Sequence, residues 1–204
     1  TLTVEDDSGL GNAAATLTRH FQVDRPPVVI VDPLAVGCPG TAMTFSAARS
    51  FDPDGRIGRF LWSFGDGAEA EGPTVEHLYR APGRYRLTLA VTDDSGSACA
   101  TTETSLEVRV DAMPLARIQL PEGPFHAGGA NDEIRFDASG SEDADGDPLI
   151  YDWDFGDGSR GRGVTLIHGY ARPGRYRVRL EASDDSGSAC SVGRAERWVE
   201  VLAR

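Results

Sequence analysis

One interval, 91 residues, governs this chain. Phe45 and Phe136, Trp62 and Trp153, Asp66 and Asp157, Tyr85 and Tyr176, and Cys99 and Cys190 are each separated by it. Two copies therefore align without a gap over most of their length, and a fixed period of this kind sets a tandem architecture before any local reading does. A chain of 204 residues has room for two domains of ordinary size, each able to bury a usable core.

Within each copy, extended segments alternate with turn chemistry. In the first they begin with Val28 to Val31 and then Ala42 to Ala47. Asp52-Pro53-Asp54-Gly55 and Asp143-Ala144-Asp145-Gly146 carry the residues that turns favour. The next strands, Phe60 to Phe64 and Ile150 to Phe155, are expected to place Trp62 and Trp153 on one face with Phe60 and Phe64 on the other. A Gly-Asp-Gly turn ends each, and a short variable stretch follows. Pro82-Gly83 and Pro173-Gly174 then open strands that alternate strictly: Tyr85, Leu87, Leu89 and Val91 inward, Arg86, Thr88 and Ala90 outward. That is the pattern of a sheet with one wet face. Asp-Asp-Ser-Gly leads into last strands ending at Val108 and Val110, or Val199 and Val201. Strands at this spacing, with one tryptophan on the third, suit an all-β fold of tandem immunoglobulin-like β-sandwiches. Trp62 and Tyr85, and likewise Trp153 and Tyr176, are expected to meet from facing sheets in a dry interior.

Three ordered motifs resemble a known family. Trp-Ser-Phe-Gly-Asp-Gly and Trp-Asp-Phe-Gly-Asp-Gly are followed by His-x-Tyr-x-x-Pro-Gly-x-Tyr from His77 and from His168, and then by Asp-Asp-Ser-Gly. Together they closely resemble the polycystic-kidney-disease (PKD) domain over residues 26 to 204. The second copy departs slightly, with Gly169 where the first has Leu78. The resemblance implies surface or secreted proteins, and calcium in some PKD-like domains.

The expected division is a hairpin over 1–25, one repeat over 26–112 and another over 113–204. Thr1 to Gly9 match Thr88 to Gly96, and Phe21 and Val23 match the strand that closes the next repeat. The front segment therefore reads as the final hairpin of an incomplete repeat. Its apolar face, Leu2 and Val4 with Leu17 and Phe21, needs a partner. Either a cut in a longer chain made the stub, or the hairpin is donated to another copy by strand addition and builds a filament.

Composition narrows the function classes. Aromatics make up only 8% and glycine is abundant at 24 residues, which favours short strands and turns. The formal charge of −12, with all 20 basic residues arginine and none in a run, argues against nucleic acid. No apolar run reaches the roughly 20 residues of a spanning helix. No nucleophile elbow, His-Glu-x-x-His pair or phosphate loop occurs, so no catalytic residue is assigned and no cofactor is required.

The remaining candidates are few. His77 and His168 repeat at one position, which points to a structural job. Asp66 and Asp157 sit where a tight turn wants a carboxylate. In a sandwich of this type the loop between the second and third strands lies beside the loop between the last two. That apposition gathers Glu142, Asp143, Asp145, Asp147, Asp184 and Asp185 as hard oxygen ligands suited to calcium, with the thinner set Asp52, Asp54, Asp93 and Asp94 in the other repeat. The competing reading is that these acids only shape solvated turns.

Cys38 lies at the far end of its sandwich and Cys190 at the near end of the next, so a Cys38 to Cys190 bridge across the junction is the geometric expectation. Reduced, buried thiols are the alternative. Trp198 is turned to the face opposite Val199 and Val201, where the other repeat has Glu107, and is expected to be exposed as a contact or a stacking platform. The leading expectation is a non-catalytic, extracellular, rod-like spacer or filament subunit at a microbial surface, associating with itself or with other surface proteins. The runner-up is an accessory module of a secreted hydrolase or adhesin that binds polysaccharide or protein.

Overall fold

The computed structural model describes residues 2–5, 14–19, 23–128 and 133–203. Among them there is no helix, and so none long and apolar enough to cross a membrane. Strands β1 (Leu2–Glu5) and β2 (Ala14–Leu17) form the front hairpin. The first complete repeat contains β3 (Ala42–Ser46), β4 (Ile57–Ser63), β5 (Glu69–Glu71), β6 (Thr74–Leu78), β7 (Gly83–Asp93) and β8 (Thr101–Val110). The second contains β9 (Phe125–His126), β10 (Ile134–Asp137), β11 (Ile150–Asp154), β12 (Arg160–Arg162), β13 (Thr165–His168), β14 (Gly174–Ser183) and β15 (Val192–Leu202).

Each repeat is an immunoglobulin-like sandwich of two sheets whose strands pair antiparallel, except β9, which runs parallel to β15. In the first, β3 pairs with β6, and the larger sheet runs β5-β4-β7-β8; in the second, β10 pairs with β13, and the larger sheet runs β12-β11-β14-β15-β9. The two long strands of each large sheet are joined at the Asp-Asp-Ser-Gly turn. Alternation along β7 puts Leu87, Leu89 and Val91 in the interior with no exposed surface, as the period of two requires. Phe45 and Trp62 close the gap between the sheets, their ring centres 6.2 Å apart, and Phe136 and Trp153 do the same at 5.9 Å. Each tryptophan is buried, and its indole N–H donates to a carbonyl, Gly72 or Gly163, at 2.9 Å. Burying a side chain this large stabilises the fold by about 3 kcal/mol, and the hydrogen bond removes the penalty on its polar end.

Several expectations change in the folded chain. Phe60, Trp62 and Phe64 all face one core, with Trp62 and Phe64 buried and Phe60 packed against them; residues two apart on a strand share a face. Trp62 and Tyr85 lie in one core but on neighbouring strands of the same sheet, since β4 pairs with β7. The tyrosine that is fully buried is Tyr79, just past β6 of the opposite sheet. Val28 to Val31 is not a strand: only Val28 bridges, to Phe51, because Pro26, Pro27 and Pro33 flank the segment and supply no amide donors. The stretch read as variable holds β5 and β6, and in the second repeat β12 and β13.

Candidate functional site at the junction of the repeats

The junction is built around one residue, Asp111. Strand β8 ends at Val110, where it bridges Gly37, and the Asp111 N–H donates to the Gly37 carbonyl at 2.9 Å. The Asp111 side chain is fully buried. Its Oδ2 accepts the hydroxyls of Ser186 and Ser188, both at 2.6 Å, and its Oδ1 accepts from Arg109 at 3.1 Å. Arg109 also reaches Asp147. Desolvation works against the Arg109 charge, but Asp147 and Asp111 outweigh it, and the guanidinium holds its proton more firmly than usual. The next residue, Ala112, donates its N–H to Asp145 Oδ2 at 2.7 Å. Every polar atom of the linker carboxylate is therefore matched, which burial of a charge demands.

The same fastening occurs at the start of the preceding repeat. Asp24 Oδ2 accepts Ser95 at 3.0 Å and Ser97 at 2.6 Å, and the Arg25 N–H donates to Asp54 at 3.4 Å. Each linker aspartate thus grips the serines of the Asp-Asp-Ser-Gly-Ser loop that follows it. No motif in the sequence marks Asp24 or Asp111; the signal was the linker aspartate placed after the closing valine in both Val23-Asp24 and Val110-Asp111.

Cys38 and Cys190 form a disulfide across this junction, with Cα atoms 5.9 Å apart and a sequence separation of 152. Cys99, at the position equivalent to Cys190, is a free and exposed thiol.

The acidic residues expected to cluster are divided by the structure. Asp145 and Asp147 join Asp111, with one carboxylate oxygen of each lying within 4.8 Å of the others, but Arg109, the Ala112 amide and the hydroxyls of Ser186 and Ser188 already occupy that group. Glu142 and Asp185 have exposed side chains. Asp143 and Asp184 behave differently. Their Oδ1 atoms accept turn amides, Asp145 N–H at 2.9 Å and Ser186 N–H at 2.7 Å, while their Oδ2 atoms are buried without a hydrogen-bond partner. Asp52 and Asp93, their counterparts one repeat earlier, each carry the same buried, unpartnered Oδ2. A buried carboxylate oxygen left bare is costly, and hard anionic oxygens of this kind suit calcium.

At the other end of each sandwich the Gly-Asp-Gly turn is clasped by histidine. Gly65 and Gly156 have φ of +82° and +81°, and a Cβ there would stand 2.6 Å from the carbonyl oxygens of Arg86 and Arg177, so glycine is required. Asp66 accepts the Ala68 N–H at 3.0 Å and meets His77 Nε2 at 2.8 Å; Asp157 meets His168 at 2.8 Å. Burial raises the Asp66 carboxyl, but the Ala68 amide and His77 more than offset this and leave it below its ordinary value; Asp157 follows with Ser159 and His168. His77 stacks on Phe64 at 4.0 Å, and Tyr79 donates to the Phe64 carbonyl at 3.1 Å. These residues brace a turn.

Trp198 is 54% exposed on β15, with the Arg175 guanidinium 4.7 Å above its ring. In the preceding repeat the equivalent pair is the ion pair Arg84–Glu107. In the front hairpin Leu2, Val4 and Leu17 are each more than half exposed; Phe21 lies outside the described residues. Leu2 pairs with Leu17 and Val4 with Ala15, the register of Leu89 with Thr104 and Val91 with Thr102 in β7 and β8. An open groove of about 640 Å³ crosses the outer face of the second repeat's large sheet, lined by Asp152, Asp154, Arg160, Arg162, Arg179 and Glu181.

The profile of the PKD domain matches residues 24–108 and 120–199. Collagenase ColA of Clostridium perfringens is 32% identical over 99 residues, which is 48% of this chain and 9% of that protein. Pre-pro-metalloprotease PrtV of Vibrio cholerae serotype O1 is 32% identical over 151 residues, 72% of this chain and 15% of that protein. The crystal structure of the PKD1 domain from that metalloprotease is 31% identical and covers 42% of this chain and 98% of that domain, with a TM-score of 0.36. The chain thus spans about 9 to 15% of the length of these full-length relatives.

Proposed function

This chain belongs to the PKD domain family, and from that premise we propose that it works as a non-catalytic, extracellular spacer whose two repeats are held end to end as one stiff unit. PKD domains occur as accessory modules of collagenases and metalloproteases, which supports a non-catalytic role outside the cell. The observation that carries the reading is the junction: Asp111 follows the last strand directly, is gripped by Ser186 and Ser188, and lies beside the Cys38–Cys190 bridge. A linker with so little free length, closed by both hydrogen bonds and a covalent bond, transmits position from one repeat to the next. A disulfide that persists requires an oxidising compartment, which agrees with a place outside the cell or on its surface.

Calcium belongs to this proposal. Asp52 with Asp93, and Asp143 with Asp184, would hold one ion in each repeat and draw the two loops at that end together. The exposed apolar face of Leu2, Val4 and Leu17 fits donation of the hairpin to strands of another repeat or copy, which would extend the spacer into a filament.

Electron micrographs of the purified chain test the spacer directly. Strands of eleven residues such as β7 make each repeat about 36 Å long, so end-to-end bodies about 70 Å in length are expected, and two bodies folded side by side would contradict it. A second reading, attachment to polysaccharide, rests on Trp198 alone: the groove on the same sheet is lined by charged side chains rather than exposed aromatic faces. A pull-down on insoluble polysaccharide, with Trp198→Ala as control, separates the two readings.

A further inference from the structure

Both large sheets end in a three-residue edge strand, and the two edges carry opposite charge at equivalent positions. Strand β5 reads Glu69-Ala70-Glu71 and β12 reads Arg160-Gly161-Arg162. The charged side chains are exposed, while Ala70 and Gly161 face the cores. Among the described residues Glu69 and Arg160 have no ion-pair partner; Glu71 meets Arg59 and Arg162 meets Asp152, both pairs well exposed.

The backbone of these edges is also open. Phe64 N–H donates to the Ala68 carbonyl at 3.0 Å and Gly72 N–H to the Phe60 carbonyl at 3.2 Å. In an antiparallel ladder bonded and non-bonded pairs alternate, so the pair between them that faces inward is Trp62 with Ala70. The N–H and C=O groups of Glu69 and Glu71 therefore point away from β4. Phe155 N–H to Ser159 and Gly163 N–H to Tyr151, at 3.1 and 3.0 Å, leave Arg160 and Arg162 in the same position on β12.

We propose that β5 of one copy of this chain pairs antiparallel with β12 of a second copy. Glu69 then lies opposite Arg162 and Glu71 opposite Arg160. All four residues turn their free amides and carbonyls toward the partner, giving four backbone hydrogen bonds and two cross-strand ion pairs, with the small residues Ala70 and Gly161 between them. Charged edges ordinarily prevent sheets from joining. Here like charges forbid β5 with β5 and β12 with β12, and leave the unlike pairing as the one combination without repulsion. Because the two edges differ, the contact is heterologous and either closes as a pair of copies or continues as a row. It stands independently of the spacer reading, which holds equally for a monomer.

Sedimentation velocity over a concentration series tests this. In low salt the wild type is expected to associate reversibly, and high salt should weaken that association at least tenfold, as exposed charges are screened. Glu69→Arg/Glu71→Arg makes both edges basic, and Arg160→Glu/Arg162→Glu makes both acidic; each variant alone should sediment as a monomer. Mixing the two restores unlike edges and should restore association, which a variant that merely unfolds would not do. A wild type that stays monomeric in low salt, association that ignores salt, charge-reversed variants that associate as before, or a mixture that stays monomeric would each overturn the proposal.

Discussion

Asp24 and Asp111 grip equivalent pairs of serine hydroxyls, yet Asp24 keeps partial solvent access while Asp111 has none. The difference is what lies above them. Asp111 is covered by Gly37, Cys38 and Arg109 of the preceding sandwich.

Removing the two carboxylates should therefore have unequal effects. Asp24→Ala loses solvent-accessible hydrogen bonds and is expected to cost about 1 kcal/mol. Asp111→Ala leaves two half-buried serine hydroxyls without their acceptor, removes one partner of Arg109, and should cost about 3 kcal/mol. Urea denaturation of the two variants measures the difference; equal effects would mean that the junction is not buried as described.

The histidine-clasped aspartates make a prediction in acid. Asp66 and Asp157 have carboxyls depressed below 3.8 in the folded chain. A depressed carboxyl contributes stability that is present above the unfolded value and lost as pH falls through the folded one. Melting temperature should thus fall steeply below about pH 4, and Asp66→Asn/Asp157→Asn should be less stable at neutral pH with a shallower acid limb. An unchanged acid limb in that variant would contradict the assignment.

In alkali the buried tyrosines decide. Burial, then Asp66 and Tyr85, raise the Tyr79 hydroxyl well above 10.0, and Tyr170 behaves alike with Asp157 and Tyr176. The unfolded chain ionises first, so their contribution is complete below about pH 10 and is lost as pH rises toward the folded value. Tyr79→Phe/Tyr170→Phe should lower stability at neutral pH by about 1 kcal/mol per site through the lost bonds to Phe64 and Phe155, while flattening the alkaline decline followed by circular dichroism.

Calcium offers a fourth test. Millimolar calcium should raise the melting temperature by several degrees through binding to the folded state alone, and Asp93→Asn/Asp184→Asn should abolish the rise. A wild-type melting curve unmoved by calcium or by chelator retires the proposed ions.

The sandwiches were legible because alternation and turn chemistry are local. Leu87, Leu89 and Val91 could be assigned to the interior from spacing alone, and the 91-residue period carried that assignment to the second copy. What depends on which sheet a strand joins was less readable: Tyr79, not Tyr85, is the fully buried tyrosine because β6 crosses to the opposite sheet. The junction shows the same limit. Cys38 and Cys190 could be related by reasoning about sandwich ends, whereas Asp111 looks like any linker aspartate until two domains close over it. Along the sequence the acids of the two apposed loops look like one ligand set, but the fold turns Asp145 and Asp147 toward the junction and Asp143 and Asp184 inward.

Stiffness of the junction can be measured without labels from backbone amide relaxation of the oxidised chain by NMR. If Asp111 and the Cys38–Cys190 bridge lock the repeats, amides in β7 and in β14 will report one common, elongated rotational diffusion tensor. Two separate and shorter correlation times, one for each sandwich, would contradict the spacer account.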